Sequence, residues 1–260
     1  MFTNGTGTGK TYTGLGLIRR FVNQGKGRIL IVVPSQEKVT DWKNDGKNLG
    51  LDIYGLGDDK AAKKEGAKNA TEDKGRGVVI TTYANMRANQ ALLEDQFDLV
   101  VYDEAHKLME KKFGSESETT RRHYLLTSRD EQSTLERLKI IHPVGKALKE
   151  AQERLDKAQK ALRRASTGAA IIDAEEEARA AQAAFDSAEA AWKAVEPQVR
   201  EEARRQMRKT KTLFLSATPF NLELNLEYAE GYIFTYPEVN GYEDDPERGR
   251  AEAIRHDQRL

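Results

Sequence analysis

The run Asn4-Gly5-Thr6-Gly7-Thr8-Gly9-Lys10-Thr11 opens a stretch that reads as helix. It fits the end of the phosphate-loop pattern G-x-x-x-x-G-K-[ST], with the first glycine displaced from position 4 to position 5. The chemistry asks for Gly5, Gly7 and Gly9 because backbone N–H groups must converge on phosphate oxygens with no Cβ in the way. Thr6 and Thr8 lie in the same loop. A helix N-terminus adds its dipole. Lys10 would pair with the β- and γ-phosphates, and the Thr11 hydroxyl would hold Mg²⁺. The alternative is a Gly/Thr-rich turn with no ligand.

A second chemical group is Asp103-Glu104-Ala105-His106, directly after the apolar run Leu99 to Tyr102. A strand ending in two acids puts them at the carboxyl edge of a parallel sheet, where ligands bind. Asp103 can reach Mg²⁺ through water. Glu104 can orient and deprotonate an attacking water. A solvated acidic turn explains such a pair equally well when nothing else accompanies it. The third group is Ser216-Ala217-Thr218-Pro219, where two hydroxyls at a strand end can bridge the acidic site to another surface. Taken alone, it reads as a turn ending before Pro219.

These residues need elements to position them. Short β-branched runs, Ile29 to Val33, Val78 to Ile80, Leu99 to Tyr102 and Thr212 to Leu215, are apolar throughout, as in strands covered on both faces. Helical stretches from Thr11 to Asn23, Gln36 to Leu49 and Ala84 to Glu94 alternate with the first three, each preceding one of them or following it. This alternation predicts a doubly wound parallel α/β sheet with helices on both faces. Between about Pro143 and Lys209 the texture changes to Ala, Glu, Lys, Arg and Gln. Apolar positions at threes and fours, broken at Ser166-Thr167-Gly168, predict an antiparallel helical hairpin with Trp192 in its core. Pro197 should kink or restart its second arm. Residues 111–137 are polar and poorly periodic and read as a loop with one short helix. His123, His142 and His256 have no metal-ligand spacing and read as surface or loop residues. Arg121-Arg122 and Arg204-Arg205 read as solvated helix faces.

The expected division is therefore 1–142 for the first part of a nucleotide-binding lobe, 143–209 for the hairpin insertion, and 210–260 for the end of the lobe and an unfinished connection. The 260 residues carry 42 Lys and Arg against 42 Asp and Glu, so no gross basic charge points to nucleic acid, though a local groove is not excluded. There is no cysteine. That removes disulfides, thiol catalysis and Cys-based zinc sites, and fits a reducing, cytoplasmic compartment. No apolar run approaches a membrane span, and the polar, Gly-rich start is not a secretory signal.

Gly-x-Gly-Lys-Thr, Asp-Glu-Ala-His and Ser-Ala-Thr, in this order on strand ends, resemble motifs I, II and III of superfamily 2 helicases and translocases. The segment Ile29 to Ser35, followed by Trp42, resembles motif Ia. Val78-Val79-Ile80-Thr81-Thr82-Tyr83 resembles the Thr-Tyr segment between motifs Ia and II. The wording is most similar to the Asp-Glu-Ala-His enzymes of phages, restriction systems and strawberry-notch-like proteins. The resemblance covers about residues 2–109 and 211–220. It implies a RecA-like P-loop fold, the cofactors ATP and Mg²⁺, and nucleic acid, DNA before RNA, as partner. It further implies that Pro34, Ser35, Thr81 and Thr82 lie near the nucleic-acid backbone, and that His106, Ser216 and Thr218 couple hydrolysis to movement. A bacterial or phage-infected cell is the expected setting.

Three departures qualify that expectation. Only three residues precede the phosphate loop, any adenine-reading segment upstream of it is missing, and nothing after Phe220 resembles motifs IV to VI. A second RecA-like lobe, in the full-length protein or in trans, is therefore expected to supply the arginine finger. The competing readings are an RNA helicase lobe, or a nucleotide-binding scaffold whose hairpin docks a partner protein.

Overall fold

The computed structural model describes residues 9–56, 77–108, 117–217 and 228–233. The chain divides into two compact units: Met1–Arg129 with Arg208–Leu260, and Asp130–Met207.

Among the described residues, the first unit is built on a five-stranded, all-parallel sheet. Its strands are β1 (Arg28–Val33), β2 (Ile53–Gly55), β3 (Gly77–Thr82), β4 (Leu99–Asp103) and β5 (Lys211–Leu215). Their order is β2-β3-β1-β4-β5. The register puts Ile29 beside both Val78 and Leu99, and Asp103 beside Leu215. Helices α1 (Lys10–Asn23) and α2 (Gln36–Asn48) cover one face. Leu15, Ile18, Val39 and Trp42 from these helices pack on Ile29, Ile31, Ile80, Val101 and Leu215 of the strands. The opposite face carries Tyr102 and Phe214. Their rings stack on each other and meet His123 of α4 (Glu118–Thr127), while Tyr83 of α3 (Tyr83–Ala88) stacks on Tyr102. With both faces covered, β1, β3 and β4 are buried along nearly their whole length. That is why their runs are apolar without alternation. The architecture is the α/β, RecA-like sheet that the motifs implied.

Local structure departs from expectation in three places. Strand β2 has three residues, pairs with β3 alone among the described strands and exposes Tyr54, so it lacks the long apolar run that betrays a central strand. The stretch 84–94 does not form one helix. Asn89 accepts a hydrogen bond from the Ala91 N–H at 3.1 Å and starts a separate 3₁₀ turn, Gln90–Leu93. The expected loop over 111–137 holds two helices in its described part. Ser117 caps α4, and it escapes a periodicity search because it is buried nearly all round, Thr119, Thr120, His123 and Thr127 included. Asp130 and Ser133 form a capping box at the start of α5 (Glu131–Ile141).

The second unit is α5 with α6 (Pro143–Arg164) and α7 (Gly168–Gln206). Leu135, Leu148, Trp192, Val199 and Ala203 form one core cluster, and Leu155, Ala158 and Ala181 a second, small-residue one. Small residues let two helices approach closely. Helix α7 continues through Pro197, so the expected restart does not occur. An interior proline costs about 3 kcal/mol. Val199 and Ala203, buried just beyond it, help hold the helix there, while the partly exposed Arg200–Glu196 pair across that turn adds little.

Among the described residues, no helix is long and apolar enough to cross a membrane.

Candidate active site at the carboxyl ends of the strands

Helix α1 begins at Gly9, whose φ of 81° lies in the left-handed region that glycine adopts without strain. No side chain caps this N-terminus and no acid sits in its first turn, so its N–H groups and dipole suit an anion. Lys10 and Thr11 are its first two residues. Gly5, Thr6, Gly7 and Thr8 lie outside the described residues. One turn into α1, a Cβ added to Gly14 would stand 2.8 Å from Trp42 and 3.1 Å from Leu215. Glycine at this position lets α1 lie close against α2 and the end of β5. Leu215 pairs with Asp103, so the first turn of α1 belongs to the same sheet edge as the acids.

Asp103 closes β4 and is only 6% exposed. Its Oδ2 accepts a hydrogen bond from the Trp42 indole N–H at 2.9 Å, and its Oδ1 accepts one from the Glu104 N–H at 3.0 Å. The Tyr83 hydroxyl donates to the Asp103 backbone carbonyl at 3.0 Å. Burial, first, and the neighbouring Asp103 charge raise the Tyr83 phenol well above its ordinary pKa, so it remains a donor.

Glu104 has φ 52°, a conformation that non-glycine residues avoid. Such strain is of order 1–3 kcal/mol and gathers at functional sites. Here it ends the strand abruptly, and the Lys107 N–H bonds the Glu104 carbonyl at 2.9 Å to start the 3₁₀ turn Ala105–Leu108. About a third of the Glu104 side chain is exposed. His106 Nδ1 lies 3.2 Å from Glu104 Oε2 and 3.2 Å from the hydroxyl of fully buried Ser216. Three sequence-predicted residues thus meet at one nitrogen. Thr218 lies outside the described residues.

The predicted strand-contact residues have local roles. Ser35 is exposed and accepts from the Lys38 N–H at 3.4 Å as the N-cap of α2, with Pro34 before it. Thr81 and Thr82 are buried. The Thr81 hydroxyl donates to the Leu56 carbonyl at 3.2 Å and accepts from Asn85 Nδ2 at 2.7 Å. The Thr82 hydroxyl caps α3 through the Asn85 N–H at 3.2 Å.

His123 corrects the surface reading given to it from sequence: it is completely buried. Its Nε2 faces the Tyr228 carbonyl at 3.1 Å and must carry the proton, leaving Nδ1 to accept from the Tyr102 hydroxyl at 2.9 Å. Burial lowers its pKa from 6.5 to about 3. Two hydrophobic neighbours in sequence, Tyr124 and Leu125, were the available signal. Trp42 and Tyr83 were also missed as supports of Asp103, because their hydrogen bonds span 61 and 20 residues.

The residues present suit a nucleotide and a divalent cation. An uncapped helix start with a basic residue meets an anion. Asp103 offers hard oxygen at the strand end. Among the described residues, no group of three or more His, Cys, Asp or Glu could cage a metal by itself. A cation here would therefore share hydroxyl, phosphate and water oxygens, the usual manner of Mg²⁺.

Residues 1–128 match the family described as type III restriction enzyme, res subunit. A search of curated proteins found no match to the chain.

Proposed function

We propose that this chain, whose residues 1–128 form a superfamily 2 helicase-like, ATP-binding RecA-like motor domain, is the first motor lobe of a DNA helicase or translocase that couples ATP hydrolysis to movement along a strand. The observation that carries the reading is the meeting of Glu104, His106 and Ser216 within 3.2 Å contacts at the carboxyl edge of the sheet. A water-activating carboxylate is there tied, through one imidazole, to the strand end that leads away from the site.

ATP and Mg²⁺, when bound, supply the phosphoryl group and the charge that neutralises it in the transition state. The chain's own residues do the rest. Gly9 and the first N–H groups of α1, with Gly5, Thr6, Gly7 and Thr8, hold phosphate oxygens. Lys10 pairs with the β- and γ-phosphates. Thr11 and Asp103 hold the metal. Glu104 orients the attacking water and takes its proton. His106 and Ser216, with Thr218, pass the state of that site to the rest of the motor. Ser35 and Pro34, at the start of α2, face the nucleic-acid backbone. Thr81 and Thr82 act by shaping the turn into α3. A second RecA-like lobe completes the site with an arginine, an addition worth 10³–10⁵ in rate.

Calorimetry with ADP and Mg²⁺ tests the nucleotide site, with Lys10→Ala as the variant that loses binding. Titration with fluorescent single-stranded DNA and RNA, across a salt series, tests the partner. Phosphate contacts predict affinity that falls as salt rises. ADP binding unchanged in Lys10→Ala overturns the site assignment, and RNA bound as tightly as DNA overturns the choice of DNA.

A further inference from the structure

The Asp103 carboxylate accepts a hydrogen bond from the indole of Trp42, and that donor is unusually well fixed. Trp42 is fully buried. Its ring edge is wedged beside Gly14 of α1, where even a methyl group would come within 2.8 Å of it. Its body packs in the cluster with Leu15, Val33 and Leu215. An indole held this way has almost no rotamer freedom, and its N–H points where the ring is locked. The 2.9 Å bond to Oδ2 therefore sets the plane of the carboxylate. With Oδ1 taking the Glu104 N–H, both oxygens are oriented, and each keeps lone pairs for other partners.

Phenylalanine would supply a smaller apolar ring at this place, without the indole N–H. Only tryptophan adds a donor. The same side chain also touches the helix that starts at Lys10 and belongs to the helix that Ser35 caps. Val39 and Trp42 are both buried on the inner face of α2. Displacing α2 would thus move the Asp103 carboxylate with it.

We propose that Trp42 is a positioning residue for the metal site: it orients Asp103 for Mg²⁺ and ties that carboxylate to α1 and α2. This rests on the motor reading above. Outer partners of metal-holding groups typically contribute 10–100-fold in metal affinity or activity.

The test uses the full chain and reads metal dependence, which a purely structural tryptophan would not move. ADP affinity is measured in EDTA and across a Mg²⁺ series for the parent chain and Trp42→Phe. The expected result is metal-free ADP affinity within about twofold of the parent, with the Mg²⁺ half-saturation raised about 10–100-fold. A folded Trp42→Phe with an unshifted Mg²⁺ half-saturation overturns the proposal while leaving the motor reading intact. A parent chain that binds no ADP under any condition overturns both.

Should Trp42→Phe not fold, a second measurement decides. The chain has two tryptophans, so Trp192→Phe leaves Trp42 as the sole indole. Its emission is then expected to change on adding Mg²⁺ with ADP, at the same half-saturation as binding, and to revert with EDTA. Silent emission during demonstrated Mg²⁺·ADP binding counts against the proposal.

Discussion

His106 Nδ1 and the Ser216 hydroxyl stand 3.2 Å apart across 110 residues of sequence. The pairing of β4 with β5 brings them together, because Asp103 opposite Leu215 leaves each residue just beyond its strand end. The same imidazole nitrogen contacts Glu104 Oε2. Ser216→Ala removes one of these contacts and leaves the other. Its hydroxyl is buried, so stability should fall by about 1 kcal/mol. ADP affinity should stay within about twofold. In a form of the protein that turns over ATP, stimulation by nucleic acid should fall roughly tenfold, within the usual range of coupling energies. Full stimulation in Ser216→Ala, measured by phosphate release, removes this contact from the coupling.

Glu104→Gln separates binding from chemistry. Glutamine fits the same backbone and can still meet His106, but it cannot take a proton from water. ATP and Mg²⁺ should bind within about threefold of the parent. Turnover in an active form should drop by about 10²–10⁴, the usual contribution of a general base. Parent-like turnover assigns the water-activating role elsewhere.

His123 should make the first unit acid-sensitive. Its folded pKa is about 3 against 6.5 for the ordinary side chain, with burial as the main cause. The folded state keeps the ring neutral, while the unfolded chain protonates it below pH 6.5. Stability from this group is fully present above pH 6.5 and is lost as pH falls toward 3. The slope is about 1.4 kcal/mol per pH unit, or about 2 kcal/mol between pH 6.5 and 5. Denaturant titrations at these two pH values check it. His123→Gln, which can keep one of the two hydrogen bonds without titrating, should show a shallower dependence. Identical slopes in parent and variant would assign the acid sensitivity to other groups.

The root of the insertion is tied within the first unit. The Arg208 N–H donates to the Ser128 carbonyl at 2.9 Å, with both residues in the left-handed region at φ 59° and 50°. The second unit, Asp130–Met207, has its own two core clusters. Replacing Asp130–Met207 by a short Gly/Ser linker should therefore preserve the sheet and ADP binding. Closure entropy changes only slowly with loop length, and the thermal midpoint should stay within about 4 °C. A replaced chain that aggregates or loses ADP binding shows that the insertion is part of the core.

The sequence by itself marked which residues could do chemistry at the strand ends, and it marked four of the five described strands of the parallel sheet. Local residue type decides both. Gly9-Lys10-Thr11 needs only a helix start, and Asp103 and Glu104 need only the apolar run before them. Runs such as Ile29 to Val33 are buried on both faces and announce it within five residues. The hairpin was legible for the same reason, since its heptad spacing repeats within each helix. Tertiary structure alone decided what holds these groups. Trp42 reaches Asp103, His106 reaches Ser216 and His123 reaches Tyr228 only after strands and helices distant in sequence are packed side by side. Burial of α4 on nearly every side erased the periodicity that would have shown it as a helix. A hydrogen bond between distant residues leaves no trace in the spacing of either one. The supports of the site therefore appeared only once the sheet had brought its edges together.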